Sequence, residues 1–420
     1  MALSRKLFHS RTFAKKSQLK LAEPAKTRFK DFWADHKSPL LAGTVASITG
    51  ISASIGLVLS ALNSLGASKA QASSAIFISV AFYGLLSIWL SAKYRMPISI
   101  VWSSTGAALL IASGNLGIEF SSVVGAFIFT GSLILLTGLW PALGKLVSKI
   151  PKPIASAMLA GVIFNFCVAP FKSIGSYALI VVPAILVWLF LQKFSPVWST
   201  PAAILIIFGS TAITDGFQIS PDDILPTLNF VGPTFDMTAI LSIGIPLYLV
   251  NMASQNIPGI AIMKSFGYDV PFKAAMTATG SATIIGGLFG GMSLNLAAIT
   301  AALNANDHAH KDSKRRWLSS VYGGIVYLVV ALFSGVTVAF VLAAPKELIL
   351  AAAGIALIGT IIGALSSALE DIKLRLPAMV TFLVGTSGLT LFSISSAFWA
   401  LISGLLVWGW LSLDTKFKQI

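Results

Sequence analysis

The sequence predicts an all-α polytopic membrane protein: 14 transmembrane segments in two inverted repeats of seven, with segments 3 and 10 part extended and part half-helix. Three observations carry this expectation. Charged residues make up 10% of the 420 residues and hydrophobic residues 56%, against roughly 25% charged in an average soluble domain. Long apolar runs bounded by Pro, Gly and Lys recur along nearly the whole chain, a pattern that lipid explains better than a large soluble core. The basic residues sit between those runs, as topology requires, and do not form a patch.

The basic residues come first in chain order. A net charge of +14 would suit nucleic acid if Lys and Arg formed an aromatic-interleaved patch on a soluble domain. Ten of the 29 basic residues instead lie between Arg5 and Lys37, and most others occupy short loops, so no nucleic-acid partner is expected. Residues 1–38 read as a basic cytoplasmic tail that can rest on anionic headgroups through Leu3, Leu7, Phe8 and Phe13. The tail lacks the compact apolar stretch of a secretory signal. The single cysteine, Cys167, falls inside an apolar run and reads as a packing residue, and no His/Cys ligand cluster appears. No metal or other cofactor is expected.

The segments fall near 39–64, 70–90, 97–113, 120–142, 153–171, 174–192 and 197–213, then 237–258, 274–291, 292–303, 317–342, 348–367, 377–392 and 396–413. The external loop 214–236 holds Asp215, Asp222, Asp223 and Asp236 and no Lys or Arg. It separates a first repeat, 39–213, from a second, 237–413. Seven spans is an odd number, so the second repeat enters the membrane in the opposite sense to the first. With residue 1 inside, 26 basic residues fall on the cytoplasmic side and three (Lys69, Lys172, Lys346) outside. That asymmetry follows the positive-inside rule and puts both termini in the cytoplasm.

Within segment 1, Gly43, Ser47, Gly50 and Ser54 share one helical face. Close helix packing explains them better than ligand contact, which leaves Ser47 as the segment's one binding candidate. Segments 3 (PISIVWSSTGAALLIAS) and 10 (GMSLNLAAITAAL, 291–303) each begin with β-favouring or alternating residues and then turn to Ala-rich helix formers. Extended backbone at membrane depth must be buried in protein or line a cavity. A half helix starting there points free N–H groups inward, an anion site that needs no Arg or Lys. Ser103, Ser104, Thr105 and Asn295 lie at those junctions.

In segment 8, Tyr248, Asn251 and Gln255 fall at i, i+3 and i+7, and Asn256, Pro258 and Gly259 come next as a break or kink. The loop at 304–317 carries His308 and His310 among basic residues and reads as a solvated topogenic loop. None of the 14 segments contains Asp, Glu, Lys, Arg or His. The convergent titratable groups of an enzyme are therefore missing, and so is a carboxylate or histidine proton relay.

The runs SQNIPGIAIMKSFGY (254–268), NLAAITAAL (295–303), KRRW (314–317), AGIALIGT (353–360), TFLVGTSGLTLF (381–392) and AFWALISG (397–404) together resemble the BenE family of benzoate/proton symporters. The resemblance covers most of residues 40–410. It implies secondary transport of benzoate or a similar aromatic carboxylate with protons into a bacterial cell across the inner membrane, with a homodimer as a compatible assembly. The fold implied is similar to that of nucleobase transporters, with spans 1–4 and 8–11 in a core domain and spans 5–7 and 12–14 in a gate domain. Substrate would lie between segments 3 and 10, near segments 1 and 8, with Trp102 a candidate for its wall. Nucleobase relatives carry acidic residues in segments 8 and 10, where this chain has Asn251, Gln255 and Asn295. That difference favours a carboxylate, and a nucleobase or inorganic anion on the same fold is the rival substrate.

Overall fold

A computed structural model describes residues 25–52, 54–140, 142–143, 149–214, 225–392 and 394–417. The tail residues Leu3, Leu7, Phe8 and Phe13 and the acidic stretch 215–224 lie outside the described residues. The first repeat begins with α1 (Ala25–Ser52) and α2 (Ile55–Ser64), which together form segment 1. The backbone leaves helical geometry between them at Ser54, with φ −134°. Next, α3 (Lys69–Tyr94) opens on a capping box. The Gln71 N–H donates to Ser68 Oγ (3.2 Å) and the Ser68 N–H to Gln71 Oε1 (2.8 Å), satisfying two of the donors that a helix start leaves free. Then come β1 (Ile100–Val101), α4 (Ser104–Ser113), α5 (Phe120–Leu139), α6 (Lys152–Phe194) and α7 (Pro196–Thr214).

The second repeat opens with α8 (Met237–Ser265), one continuous helical run. It is followed by α9 (Phe272–Gly287), β2 (Asn295–Leu296) and α10 (Ile299–Ala305). After these come α11 (Trp317–Leu332), α12 (Ser334–Leu342), α13 (Lys346–Leu369), α14 (Arg375–Thr386) and α15 (Ser396–Phe417). Among the described residues, seven helices are long and apolar enough to cross a membrane, and the pair α11/α12, bent by 64°, makes an eighth. Each of the 14 expected segments has a counterpart, because α6 holds two of them and α4, α7, α9, α10 and α14 are shorter or broken spans.

The 43 residues of α6 would reach about 65 Å if straight, yet Lys152 and Gln192, near its two ends, line one cavity. The chain therefore doubles back near Tyr177, where φ −133° and ψ 39° depart from helix. Expected segments 5 and 6 are the two arms. Three details differ from the sequence reading. Segment 11 bends at Phe333. Segment 13 ends its helix at Thr386, and Gly388 (φ +68°) and a bridge between Leu391 and Ile394 come after it. Segment 8 does not break at Asn256–Gly259 but runs on to Ser265, since Pro258 falls in the first turn of an α stretch after a π-helical turn, where its missing N–H costs nothing.

The packing obeys the two-fold relation of the repeats. Helix α3 lies on α11 as α5 lies on α9, and α1 meets α10 and α11 as α8 meets α4 and α5. Two of these crossings are too close for a side chain. A Cβ on Gly43 would stand 2.1 Å from the Ser319 carbonyl oxygen, and one on Gly280 would stand 2.4 Å from the Leu135 nitrogen. The doubled α6 packs instead on α7, α13, α14 and α15. Leu179, Leu186, Phe190 and Leu205 are exposed on α6 and α7, as a lipid-facing surface requires.

Candidate functional site

The two broken segments meet. β1 and β2 pair antiparallel, Ile100 opposite Leu296 and Val101 opposite Asn295, and the Ala297 N–H donates to the Ser99 carbonyl (2.9 Å). This pairing satisfies backbone groups that would otherwise be stranded at membrane depth. Past the strands the chain re-enters helix as α4 and α10, and both helix starts line a cavity of about 610 Å³. That volume lies within the roughly 300–1,000 Å³ typical of small-molecule sites.

One side of the cavity is built by Thr49, Gly50 and Ser54 of segment 1, Trp102, Ser104 and Thr105 of segment 3, Ser254, Gln255 and Pro258 of α8, and Ala297–Thr300 of segment 10. The facing side comes from both arms of α6, from α7 and from α13, through residues such as Leu159, Trp188, Thr200, Ile355 and Gly359. The lining is mostly apolar. Its one charged side chain is the exposed Lys152, which sits at the mouth 3.8 Å from Glu370.

At the start of α4, Ser103 is the N-cap: its Oγ accepts the Gly106 N–H at 2.9 Å. The N–H groups of Ser104 and Thr105 have no acceptor among the described residues, and both residues line the cavity. The Thr105 hydroxyl lies 2.7 Å from both Ser103 Oγ and Ser254 Oγ, and Ser254 donates onward to the Val250 carbonyl (2.7 Å). A chain of hydroxyls thus locks α4 to α8.

Helix α8 contains two π-helical turns, Ile240–Gly244 and Met252–Asn256. Such turns concentrate at functional sites. Each takes one more residue than an α turn and rotates the remainder of the helix by about one residue, roughly 100°. The second lies between Asn251 and Asn256 and separates polar groups that a regular helix would align. Tyr248 turns to α5, its hydroxyl 2.6 Å from Thr137 Oγ1. Asn251 is fully buried and donates to Ser293 Oγ (2.6 Å). Gln255 faces the cavity, and its amide has no hydrogen-bond partner among the described residues. Asn256 turns away, fully buried. Its Oδ1 accepts the Leu296 N–H (2.9 Å) and its Nδ2 donates to Asn295 Oδ1 (3.1 Å).

The eight candidate residues therefore divide. Ser104, Thr105 and Gln255 line the cavity. Ser103, Asn251, Asn256, Asn295 and Ser47 stand behind its wall: the serine caps a helix, the three asparagines brace β2 and its approach, and Ser47 packs where a Cβ on Gly323 would come within 2.6 Å of its Oγ. Trp102 contributes wall, but its ring is buried edge-to-face on Tyr83 (5.2 Å) and its Nε1 donates to Ser54 Oγ (2.7 Å). Sequence reasoning missed Ser254, Thr300 and Trp188. Ser254 could have been found from its place beside Gln255, whereas Trp188 reaches the cavity only because α6 doubles back. His310 lies away from the cavity, its Nε2 3.1 Å from Asp35 Oδ1.

The sequence profile of the family described as "Benzoate membrane transport protein" (BenE) matches residues 34–409. The chain belongs to this family. Two proteins of similar sequence support the assignment. "Inner membrane protein YdcO" of Escherichia coli (strain K12) is 37% identical over 370 residues, 87% of this chain and 93% of that protein. "Benzoate membrane transport protein" of Acinetobacter baylyi is 32% identical over 328 residues, 76% of this chain and 82% of that protein.

In fold, the chain is similar to the transmembrane domain of a cyanobacterial bicarbonate transporter, BicA, with TM-score 0.57 and 13% identity, covering 89% of this chain and 98% of that one. It is also similar to the murine Slc26a9 anion transporter in its inward-facing state, with TM-score 0.58 and 14% identity, covering 99% and 77%. At those identities the likeness concerns the fold, the seven-plus-seven inverted repeat expected from seven spans on either side of the loop 214–236. The BenE-family chain is thus a multi-pass membrane transporter and not an enzyme.

Proposed function

We propose that this transporter imports benzoate or a closely similar aromatic carboxylate, with a proton, by alternating access across a bacterial inner membrane. The observation that carries the reading is the cavity itself: a mostly apolar chamber with unclaimed helix-start N–H groups at Ser104 and Thr105, a free amide at Gln255 and no acidic residue in its lining. An aromatic ring fits the apolar wall. A carboxylate fits the positive end of α4, and Gln255 donates to its second oxygen. Segments 1–4 and 8–11 act as the core that carries the substrate, and segments 5–7 and 12–14 as the gate. With both termini cytoplasmic, the mouth beside Lys152 opens inward. Membership of the benzoate membrane transport family and the relative from Acinetobacter baylyi support benzoate as the substrate.

The names of the fold neighbours, a bicarbonate transporter and an anion transporter, favour one second reading, an inorganic anion on the same fold. Uptake of labelled benzoate into proteoliposomes separates the two. An acid-outside gradient should stimulate uptake several-fold, and unlabelled benzoate should compete where bicarbonate, sulfate and uracil do not. Uptake indifferent to the gradient overturns symport, and stronger competition by an inorganic anion overturns the substrate.

A further inference from the structure

Among the described residues, two aromatic side chains line the cavity, Trp102 and Trp188. The protein has committed them to different degrees. Trp102 is 3% exposed, its ring stands edge-to-face on Tyr83 (5.2 Å) and its Nε1 donates to Ser54 Oγ (2.7 Å). Trp188 is half-buried against the hydrophobic core, yet its ring pairs with no other ring and its Nε1 has no acceptor among the described residues. An indole held at a cavity wall with its face unclaimed can receive a ligand's ring.

The fold sets the depth of Trp188. Ser173 Oγ donates to the Glu347 carbonyl (3.2 Å), which holds the first turn of α13 level with the top of the first arm of α6. About two turns further along α13, Gly354 abuts the Phe166 carbonyl oxygen, about two turns back along that arm, so the two helices run antiparallel side by side. At their other ends Lys152 and Glu370 stand at the mouth, 3.8 Å apart. Trp188 lies about three turns past the reversal at Tyr177, and Ile355 lies about two and a half turns into α13. Both line the cavity, and both belong to its deep end, away from the mouth.

The polar groups of the site face them. Helix α6 packs on α4 and on the π turn of α8 that carries Gln255, and the helix start at Ser104 and Thr105 opens on the same chamber. These groups belong to segments 3 and 8, whereas Trp188 belongs to segment 6, on the opposite side. A carboxylate held on the first side turns the rest of its molecule toward the second. Beside Trp188 that second side offers Leu159, Ile355 and Gly359, where a Cβ would meet nothing within 4 Å. A flat ring therefore has space to lie against the indole.

We propose that Trp188 is the residue that selects an aromatic substrate: the carboxylate is held by the start of α4 and by Gln255, and the ring packs on the indole of Trp188. The inference rests on the aromatic-carboxylate reading above and deepens it. Aromatic pairs in offset or edge-to-face arrangement gain more than the area they bury, so this contact separates benzoate from a saturated ring of the same charge and similar size. Leucine or isoleucine at the same place would bury either ring alike. With segment 6 in the gate and segments 3 and 8 in the core, the carboxylate is read by one domain and the ring by the other.

The test measures Kd for labelled benzoate, and by competition Kd for cyclohexanecarboxylate, in the purified parent and in Trp188→Phe, Trp188→Leu and Trp188→Ile. The parent should prefer benzoate, and Trp188→Phe should keep that preference. In Trp188→Leu and Trp188→Ile, Kd for benzoate should rise about three- to tenfold, with Kd for cyclohexanecarboxylate within about twofold of the parent, so that the preference collapses. A preference that survives in the leucine and isoleucine variants overturns the assignment. So does an equal rise in both Kd values, which would mark Trp188 as wall that fills space without reading aromaticity. A parent that binds neither acid overturns the aromatic-carboxylate reading, and this inference with it.

Discussion

Replacing Gln255 by Leu should weaken substrate binding strongly while leaving the fold alone. The side chain lines the cavity and has no protein partner among the described residues, so its removal strands no buried group. What is lost is a hydrogen bond from a neutral donor to the carboxylate, worth about 1.5–3 kcal/mol. At 1.4 kcal/mol per factor of ten, Kd for benzoate should rise roughly 10- to 140-fold. Gln255→Glu goes further. A second negative charge at roughly 5 Å, with an effective dielectric of about 20, adds ~3 kcal/mol of repulsion. That repulsion is present when the new carboxyl is ionised and is relieved as pH falls through its pKa, so affinity in this variant should recover on acidification, while Gln255→Leu should show no such recovery. Scintillation-proximity binding of labelled benzoate to purified protein gives Kd, and a thermal shift without ligand gives stability. A Gln255→Leu protein with Kd within threefold of the parent, or with a Tm lowered by more than a few degrees, would refute the assignment.

The neighbouring Asn256→Leu should behave in the opposite way. It leaves the Leu296 N–H and Asn295 Oδ1 unpaired in a site with no exposed surface, at about 1–3 kcal/mol each, so the thermal shift should fall markedly in the absence of ligand. Gly280→Ala should abolish correct assembly, read as lost monodispersity on size exclusion, because its Cβ would stand 2.4 Å from the Leu135 nitrogen. Gly175→Ala, away from the cavity lining and with nothing within 4 Å of the added Cβ, should leave assembly unchanged. Arg316→Leu should destabilise the protein by several kcal/mol, since it strands the Ala305 and His310 carbonyls. Asp307→Asn, whose side chain is 88% exposed, should change the Tm by less than a degree or two.

Most of the architecture was legible because hydropathy and loop charge act span by span. The broken segments were legible because Ile98, Ile100 and Val101 favour extended backbone while the Ala-rich continuations favour helix. The site was read less well, for a reason that lies in α8. Spacing of i, i+3 and i+7 assigns one face only if every turn holds 3.6 residues. The π turn at Met252–Asn256 moves Gln255 onto the cavity and leaves Asn251 behind it. Nothing in the residue types from Met252 to Asn256 distinguishes a π turn from an α turn. The reversal of α6 near Tyr177 was legible as the gap between segments 5 and 6, but not which face of the second arm it turns to the cavity, and so Trp188 escaped notice.

The four-residue seam between β1 and β2 draws one strand from each repeat, so neither repeat can complete the chamber on its own. A single seven-span unit would have unmet backbone groups at the middle of the bilayer until it found a partner inserted upside down. An ancestral half-length gene would therefore have needed to insert in both orientations. Present-day halves expressed as separate polypeptides should be unstable singly and recover function only when made together.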